Sequence, residues 1–316
     1  MGKTTTAKQP ASFKFKRFVS LEYSKLLFIA AFVIPPLIAY IFAYVVPIFS
    51  SIYSSFHDWS GFGDMDFIGI ENYKNLFQDD IFFKAIKNDA FYVLGKEILI
   101  VPLSILFALA LTRLKLRKAE VGAYRFILYL PNVLSVSIIG IVWAFIFDPY
   151  NGILNGILKL VGLENLIPAN GWLVEYAMPA IIYVASWCGI GYFMILLVSA
   201  INGISNDLYE AADIDGAGQW KQLWNITLPA IWEKVRYVVV QIVIGTLGNY
   251  SLAMLLVGGS GGVDGAGMVM GLYVYHYGLD SNDPMVGYAN AAAIVLMIIS
   301  STIILTINKL MDKEAD

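Results

Sequence analysis

The stretch that decides the fold is Glu210-Ala211-Ala212-Asp213-Ile214-Asp215-Gly216, with Ile226-Thr227-Leu228-Pro229 following after nine further residues. It lies in a hydrophilic interval between two strongly apolar segments. Asp207 is predicted to cap a short helix, with Glu210 reaching back in a capping box and Gly216 supplying the left-handed residue that ends it. A second short helix is then predicted to stop at Pro229. So fixed a pattern in a short loop indicates a docking element.

The spacing resembles the EAA loop of importer permeases of the ATP-binding-cassette (ABC) class: Glu-Ala-Ala, three residues, Gly, nine residues, then Ile, any residue, Leu and Pro. The resemblance implies a coupling helix seated in a cleft of a cytoplasmic ATPase subunit. The alternative is that Glu210 only caps a helix, which leaves the other matched positions unexplained. The residues to which the resemblance assigns ATPase coupling are Glu210, Ala211, Ala212, Asp215, Gly216 and Ala217.

Composition places the chain in a membrane. Its mean hydropathy is +0.68, with 58% hydrophobic and 14% charged residues, whereas soluble domains carry roughly 25% charged residues. About 20 apolar residues span a bilayer, and continuous apolar runs favour helices over barrel strands. The predicted spans are residues 26–50, 89–112, 124–147, 176–201, 235–257 and 287–309. We therefore expect an all-α, polytopic membrane helical bundle with six transmembrane helices.

The distribution of Lys and Arg predicts the orientation. Sixteen of them lie in residues 1–25, 113–125, 202–236 and the C-terminal tail, against four in the opposite loops. Basic residues favour the cytoplasmic side, so both termini and the EAA loop are predicted to be cytoplasmic. With the resemblance, this indicates a multi-pass protein of a bacterial or archaeal cytoplasmic membrane.

Four segments are expected along the chain. They are a basic N-terminal tail at 1–25, a first span with its external loop at 26–87, a permease core at 88–310 with the EAA loop at 202–234, and a cytoplasmic tail at 311–316. The N-terminal stretch has no signal-peptide cleavage pattern, so the first span is expected to remain as an anchor.

The residues do not predict catalysis by the chain itself. The single cysteine, Cys188, excludes an intramolecular disulfide, and His57 and His276 are expected to be solvated loop histidines rather than metal ligands. The glycine-rich stretch from Gly258 to Gly262 lacks the Gly-Lys-Ser/Thr of a phosphate loop and is interpreted as a flexible turn. We expect no metal, no cofactor and no nucleic-acid partner, with ATP and Mg²⁺ bound by a partner ATPase.

Beyond the loop, residues 26–310 resemble the sugar permeases related to the maltose transporter. This resemblance implies a type I ABC importer permease fold (MetI-like). The segment from Phe67 to Tyr73 resembles their F-x-G-x-x-N-Y pattern, although it is equally interpreted as a solvated amphipathic element over the bundle. Further matches are Leu130-Pro131, Tyr150-Asn151-Gly152-Ile153-Leu154-Asn155, Trp187 with Gly191, and Gly287-Tyr288-Ala289. The chain departs from the pattern at Gly258-Gly259-Ser260, where a Gly-Gly-Pro is usual.

Polar and aromatic residues inside the spans are candidates for substrate contact or, alternatively, for helix packing. Trp187 and Tyr192 offer flat faces to a pyranose ring, and Asn249 is expected to be a buried amide at a similar depth. Lys96 and Glu97 are expected to snorkel to the interface rather than line a cavity. The substrate residues carried over from the resemblance are Asn132, Trp187, Cys188, Gly189, Tyr192 and Asn249.

The predicted function is the transmembrane permease subunit of an ABC importer for a sugar or oligosaccharide. The implied partners are a second homologous permease, two ATPase subunits and an external solute-binding protein. An ion-gradient-driven secondary transporter would need Asp, Glu or His in a relay, and away from their ends the predicted spans offer only Lys96 and Glu97 as charged residues. Glycerol-3-phosphate or another polyol stays open as the cargo.

Overall fold

The structure, a computed structural model, describes residues 11–114 and 116–312. Residues 1–10 and 313–316 of the predicted tails, and Lys115 of a basic loop, lie outside the described residues. Contacts divide the chain into two compact units between Tyr53 and Ser54. The first unit is helical: α1 (Ala11–Tyr40) continues through a π-helical turn (Ile41–Val45) into α2 (Val46–Ser54).

The second unit begins with a small folded loop. Strand β1 (His57–Asp58) pairs antiparallel with β2 (Asp66–Phe67), and α3 (Glu71–Leu76) follows. His57 is only 5% exposed, and its ring packs edge-on against Phe67 with centroids 5.4 Å apart. The expectation of a solvated histidine is therefore wrong for His57, because the strand pairing folds it under the loop.

Six apolar segments in the described part of the chain match the six predicted spans by length and composition. Four are unbroken candidates and two are bent pairs, with bends of 96° and 54°. The helices involved beyond the first unit are α4 (Asp80–Arg113), α5 (Lys118–Val133), α6 (Val136–Ile146), α9 (Ala177–Asn202), α11 (Gln219–Gln222), α12 (Leu228–Thr246), α13 (Ser251–Val257) and α15 (Val286–Asp312).

Each bend has a local backbone cause. Between α5 and α6, Leu134 and Ser135 are extended, three to four residues after Pro131. Between α12 and α13, Leu247 is extended and Gly248 takes φ +81°, a conformation that favours glycine. The predicted spans 124–147 and 235–257 are thus broken helices rather than continuous ones.

Helices α4 and α9 run parallel at the centre of the second unit. Gly95 meets Ile182 and Gly189 meets Ile100, so contacts advance in the same direction along both helices. The Ser104 hydroxyl donates to the Ile190 carbonyl at 3.1 Å. Parallel packing means that an odd number of crossings separates these two spans, which agrees with α5–α6 acting as one span.

The loops gather at two opposite ends of α4. Near its start, Asn88 Nδ2 donates to the Met268 carbonyl at 2.8 Å, which holds the glycine-rich loop after α13. At its far end, Arg113 meets Tyr209 in α10 (Asn206–Ile214). The remaining elements are α7 (Ile153–Leu160), a 3-10 turn (Glu164–Leu166), α8 (Trp172–Glu175), a 3-10 turn (Val263–Gly265), α14 (Met270–Tyr275) and a π-helical turn (His276–Asp280).

Candidate functional site

The EAA loop forms the short helix α10, but its first turn differs from the prediction. Ser205 is the N-cap, and its hydroxyl accepts from the Asp207 amide at 3.3 Å. Glu210 is the fifth helical residue, so it is too far along to reach back to the N-cap in a capping box, which uses the third. The capping role assigned to Asp207 and Glu210 is wrong, and the exposed Glu210 carboxylate is available for other contacts.

The end of α10 matches the prediction for Gly216, which takes φ +72°. The Ala217 amide donates to the Ala212 carbonyl at 2.8 Å, and the Asp215 amide donates to Ala211 at 3.0 Å. This six-to-one bond across a left-handed residue is a Schellman motif. A Cβ at Gly216 would meet no atom within 4 Å, so the glycine is needed for its backbone angle rather than for space.

The residues that match the EAA pattern form an accessible surface composed mostly of small side chains. Glu210, Ala211, Asp215 and Gly216 are exposed, and Ala212 and Ala217 are half-buried. Ile214, between the matched positions, is 87% exposed. Ile214 thus presents a large apolar side chain on the outside of α10, next to a carboxylate and small side chains. Sequence reasoning missed Ile214 because the EAA pattern leaves its position unspecified.

Tyr209 anchors this surface from behind. It is the buried residue of α10, 6% exposed, and its hydroxyl lies 2.9 Å from Thr227 Oγ1. The Arg113 guanidinium carbon lies 3.3 Å from the centroid of the Tyr209 ring. These contacts connect α10 to the end of α4 and to the start of α12, and pattern matching gave no signal for them.

The chain continues past Pro229 instead of stopping there. Helix α11 runs into a π-helical turn (Leu223–Thr227), in which the Leu228 amide donates to the Leu223 carbonyl, and then into α12. A proline removes an amide donor and crowds the carbonyl four residues earlier, and the wider π turn just before Pro229 gives it room. The predicted stop at Pro229 is therefore wrong.

Trp187 belongs to an aromatic cluster on one face of α9. Its ring lies 5.6 Å from that of Trp143 in α6, which also contacts Tyr183 at 5.4 Å. Tyr183, Ser186 and Trp187 line a cavity of about 300 Å³ with apolar residues of α4 and α5. The buried Ser186 hydroxyl has no hydrogen-bond partner within the described residues. Trp187 itself remains 38% exposed.

The other candidates on α9 do not share that face. Five residues along a helix turn through about 140°, so Tyr192 cannot present its ring to the same pyranose as Trp187. Cys188 is half-buried against the core. A Cβ on Gly189 would lie 3.0 Å from Ile100, which supports the helix-packing alternative at that position. The structure thus brings together Trp187 with Trp143 and Tyr183 rather than with Tyr192.

Asn249 differs from its expected environment. It is exposed at the bend between α12 and α13, and its Oδ1 accepts from the Ser251 amide at 3.3 Å. The expectation of a buried amide is wrong, because the broken helix turns this residue outward. Asn132, in the last turn of α5, is also exposed.

Lys96 points into the second unit. Its Nζ donates to Thr246 Oγ1 at 2.8 Å and lies 5.2 Å from the centroid of the Tyr92 ring. Snorkelling to the interface, the preferred expectation for Lys96, is therefore wrong. Glu97 is half-buried, and Asp89 on the same helix accepts from the Met270 amide at 3.4 Å. Lys96 and Asp89 thus connect α4 to α12 and α14, whereas the buried Glu97 Oε1 has no hydrogen-bond partner within the described residues.

The family-like motifs outside the EAA loop build the opposite end of the molecule. Asn72 Nδ2 donates to the carbonyls of Ser55 and His57, at 2.9 Å each, and Tyr73 OH lies 2.7 Å from Ser55 Oγ. Similarly, Trp172 Nε1 donates to Asn155 Oδ1 at 2.7 Å. The segment from Phe67 to Tyr73 is held in place by specific hydrogen bonds, so it is not only a solvated amphipathic element.

Asp79 joins three elements at that end. One carboxylate oxygen caps α4 by accepting from the Ile81 amide at 2.7 Å, and the other accepts from Tyr273 OH at 2.6 Å and Tyr288 OH at 3.3 Å. Burial, followed by the hydrogen bond to Asp79, raises the pKa of Tyr273 far above its usual value, so the phenol stays protonated and donates. Asp79 thereby ties α4 to α14 and α15.

The chain is similar in sequence to known proteins. Residues 97–315 match a family described as the binding-protein-dependent transport system inner membrane component. The chain is 32% identical over 302 residues to the diacetylchitobiose uptake system permease protein NgcF of Streptomyces coelicolor, covering 92% of this chain and 84% of that protein. It is 33% identical to the multiple sugar-binding transport system permease protein MsmF of Streptococcus mutans, with 85% and 89% covered.

A solved structure has the same fold. A chain of a bacterial ABC transporter involved in the import of the acidic polysaccharide alginate superposes with a TM-score of 0.78 at 24% identity, covering 94% of this chain and 99% of that chain. A second structure of the alginate transporter, in complex with an alginate pentasaccharide-bound periplasmic protein, gives a TM-score of 0.77 at 24% identity, with 93% and 96% covered. The agreement extends over nearly the full length of both chains.

Proposed function

Because the chain belongs to the family of binding-protein-dependent transport system inner membrane components, we propose that it is the permease subunit of an ABC importer for a sugar or oligosaccharide. The chain moves the substrate and the ATP is hydrolysed by partner subunits. The observation that carries the proposal is the EAA loop: a helix whose Glu210 face is open, while Tyr209 fixes its other side to α4 and α12.

The open face of α10 suits an ATPase subunit. Glu210 offers a carboxylate, Ile214 offers an apolar knob, and Ala211 lets a partner approach closely. A contact of this kind combines a charged group with a small apolar anchor, as protein interfaces commonly do. ATP and Mg²⁺ belong to that partner in this proposal.

The proposed assembly contains this chain, a second homologous permease, two ATPase subunits and an external solute-binding protein. The segments predicted to lie on the side of the EAA loop hold sixteen basic residues against four in the opposite loops, which supports a cytoplasmic position for this loop and for both termini. The alginate transporter, solved with its periplasmic protein, supports a binding protein at the opposite end.

A sugar is favoured as the cargo. Relatives named for uptake of diacetylchitobiose and multiple sugars share about a third of their residues with this chain. Trp187 with Trp143 provides an aromatic surface of the type that stacks on a pyranose ring. Lys96, a cation of α4 that could pair with a phosphate, donates instead to Thr246 Oγ1. A neutral glycan therefore fits better than glycerol-3-phosphate.

The test is a charge reversal at the coupling face in the complete complex. Glu210→Lys is expected to abolish ATP hydrolysis stimulated by the loaded binding protein while the complex still assembles. Glu233→Lys on α12 is the matched control, because Glu233 is also exposed but lies beyond the matched pattern, which ends at Pro229. Wild-type hydrolysis and uptake in Glu210→Lys would refute the assignment of α10 to the ATPase.

A further inference from the structure

We propose that Arg113, Tyr209 and Thr227 form a linkage that transmits the movement of α10 to the spans α4 and α12. This inference rests on the proposed function and adds positioning residues to it. None of the three is a matched position of the EAA surface that faces the ATPase; they lie behind it, at the junction with the spans.

The burial pattern shows why α10 needs such a linkage. Tyr209 is the buried residue of this nine-residue helix, and the other described side chains of α10 are exposed or half-buried. Besides its two chain ends, α10 contacts the rest of the described chain through Tyr209 and through Asp213, whose Oδ1 accepts from Gln222 Nε2 of the neighbouring α11. Of these two side chains, Tyr209 is the one that reaches α4, so its contacts connect α10 to a span that is distant in sequence.

The contacts of Tyr209 run in two directions. Arg113, the last residue of α4, lies over the ring, with its guanidinium carbon 3.3 Å from the centroid. The hydroxyl lies 2.9 Å from Thr227 Oγ1, and Thr227 in turn donates to the Gln222 carbonyl at 3.4 Å. Thr227 is 2% exposed, ends the π-helical turn and immediately precedes α12, so its position follows that of the span.

The surroundings of the linkage are loosely filled. A cavity of about 480 Å³ separates the end of α4 from the segment after α10, and Arg113, Tyr209, Trp220 and Thr227 are part of its wall. A close-packed junction would transmit displacement through every contact, whereas a junction beside a cavity depends on the few contacts that cross it. The guanidinium stack and the hydroxyl bond are two such contacts.

Conservative variants separate the two arms. Tyr209→Phe keeps the ring under Arg113 and loses the hydroxyl, Thr227→Val loses the other half of that bond, and Arg113→Lys keeps the charge but not the planar stack. Each is expected to lower the stimulation of ATP hydrolysis by the loaded binding protein about five- to tenfold, at the low end of couplings between sites. Sugar transported per ATP should fall with it, and basal hydrolysis and assembly should persist.

The experiment uses the complete complex in proteoliposomes, with Tyr124→Phe, an exposed tyrosine of α5, as the matched control. The double variant Tyr209→Phe/Thr227→Val is expected to be no worse than either single variant, because both remove the same bond. Additive losses would overturn the inference, as would normal transport per ATP in the single variants. Loss of assembly even in Thr227→Val would do so too, since it assigns the residue to stability alone.

Glu210→Lys in the same preparation separates this inference from the proposed function. If Glu210→Lys uncouples the complex and the variants of the linkage behave as wild type, only the linkage is refuted. If Glu210→Lys is itself without effect, the proposed coupling surface fails first.

Discussion

Replacing Gly216 by alanine tests whether the end of α10 is set by backbone conformation. Gly216 has φ +72°, and a Cβ there would meet no atom within 4 Å, so the substitution introduces no clash. The cost is that of placing an L-residue in the left-handed region, about 1–2 kcal/mol. That corresponds to about a five- to thirtyfold lower population of the native loop relative to alternative ends.

Gly218 supplies the matched control for this prediction. It lies two residues further on with φ −64°, and a Cβ there would also meet nothing within 4 Å, so Gly218→Ala introduces neither strain nor a clash and should cost only the poorer N-cap preference of alanine, less than about 1 kcal/mol. Hydrolysis stimulated by the loaded binding protein should decrease in the order Gly218→Ala, Gly216→Asn, Gly216→Ala, because asparagine tolerates the left-handed region better than alanine. Equal activity of Gly216→Ala and Gly218→Ala would refute the reasoning.

Three further predictions concern the rest of the molecule. Asp79→Ala should destabilise the protein by about 2 kcal/mol, since it removes an N-cap and the carboxylate that accepts from the Tyr273 and Tyr288 hydroxyls, which could then bond only to each other at 2.7 Å; thermal unfolding should show no such loss for the exposed Asp80→Ala. Trp187→Ala and Asn249→Ala should raise the half-saturating sugar concentration about ten- to a hundredfold with normal basal hydrolysis. Asn249→Ser, which keeps an oxygen for the Ser251 amide, separates sugar contact from helix capping; normal uptake kinetics in the alanine variants would assign Trp187 to helix packing and Asn249 to the local bond with the Ser251 amide. A reporter active only in the cytoplasm should work when fused at residues 216 and 316 but not at 65 or 265, and the opposite result at 216 would contradict the orientation.

The sequence predicted the number and approximate extent of the membrane segments because hydropathy depends on composition alone. It also predicted the left-handed end of α10, since Gly216 is a local signal. The bends are harder to predict from sequence. Polar residues and a proline lie near the bend between α5 and α6, but the turn at Gly248 depends on the close approach of the Gly271 backbone to the Gly248 carbonyl. A single glycine in an apolar run does not reveal such a long-range contact.

The candidate site residues likewise include some that a local sequence pattern predicts and others that depend on contacts between distant parts of the chain. The exposed positions of the EAA surface are fixed by spacing along one short helix, so a pattern could find them. Tyr209 and Arg113 are almost a hundred residues apart and meet only after α4 and α9 pack side by side. The sequence also does not predict the environment of Asn249, because the break between α12 and α13 changes the direction in which this residue faces. A sequence pattern therefore predicts local features such as the end of α10, whereas tertiary contacts determine what each side chain touches.

ATP-dependent uptake by the reconstituted complex tests the central claim most directly. Proteoliposomes containing this chain, its partner permease and the ATPase subunits are loaded with ATP and Mg²⁺ and supplied with binding protein and a labelled oligosaccharide. The account predicts uptake that requires both internal ATP and the binding protein and that persists when ionophores collapse ion gradients. Uptake that proceeds without ATP and disappears with the ion gradient would contradict it and identify a secondary transporter instead.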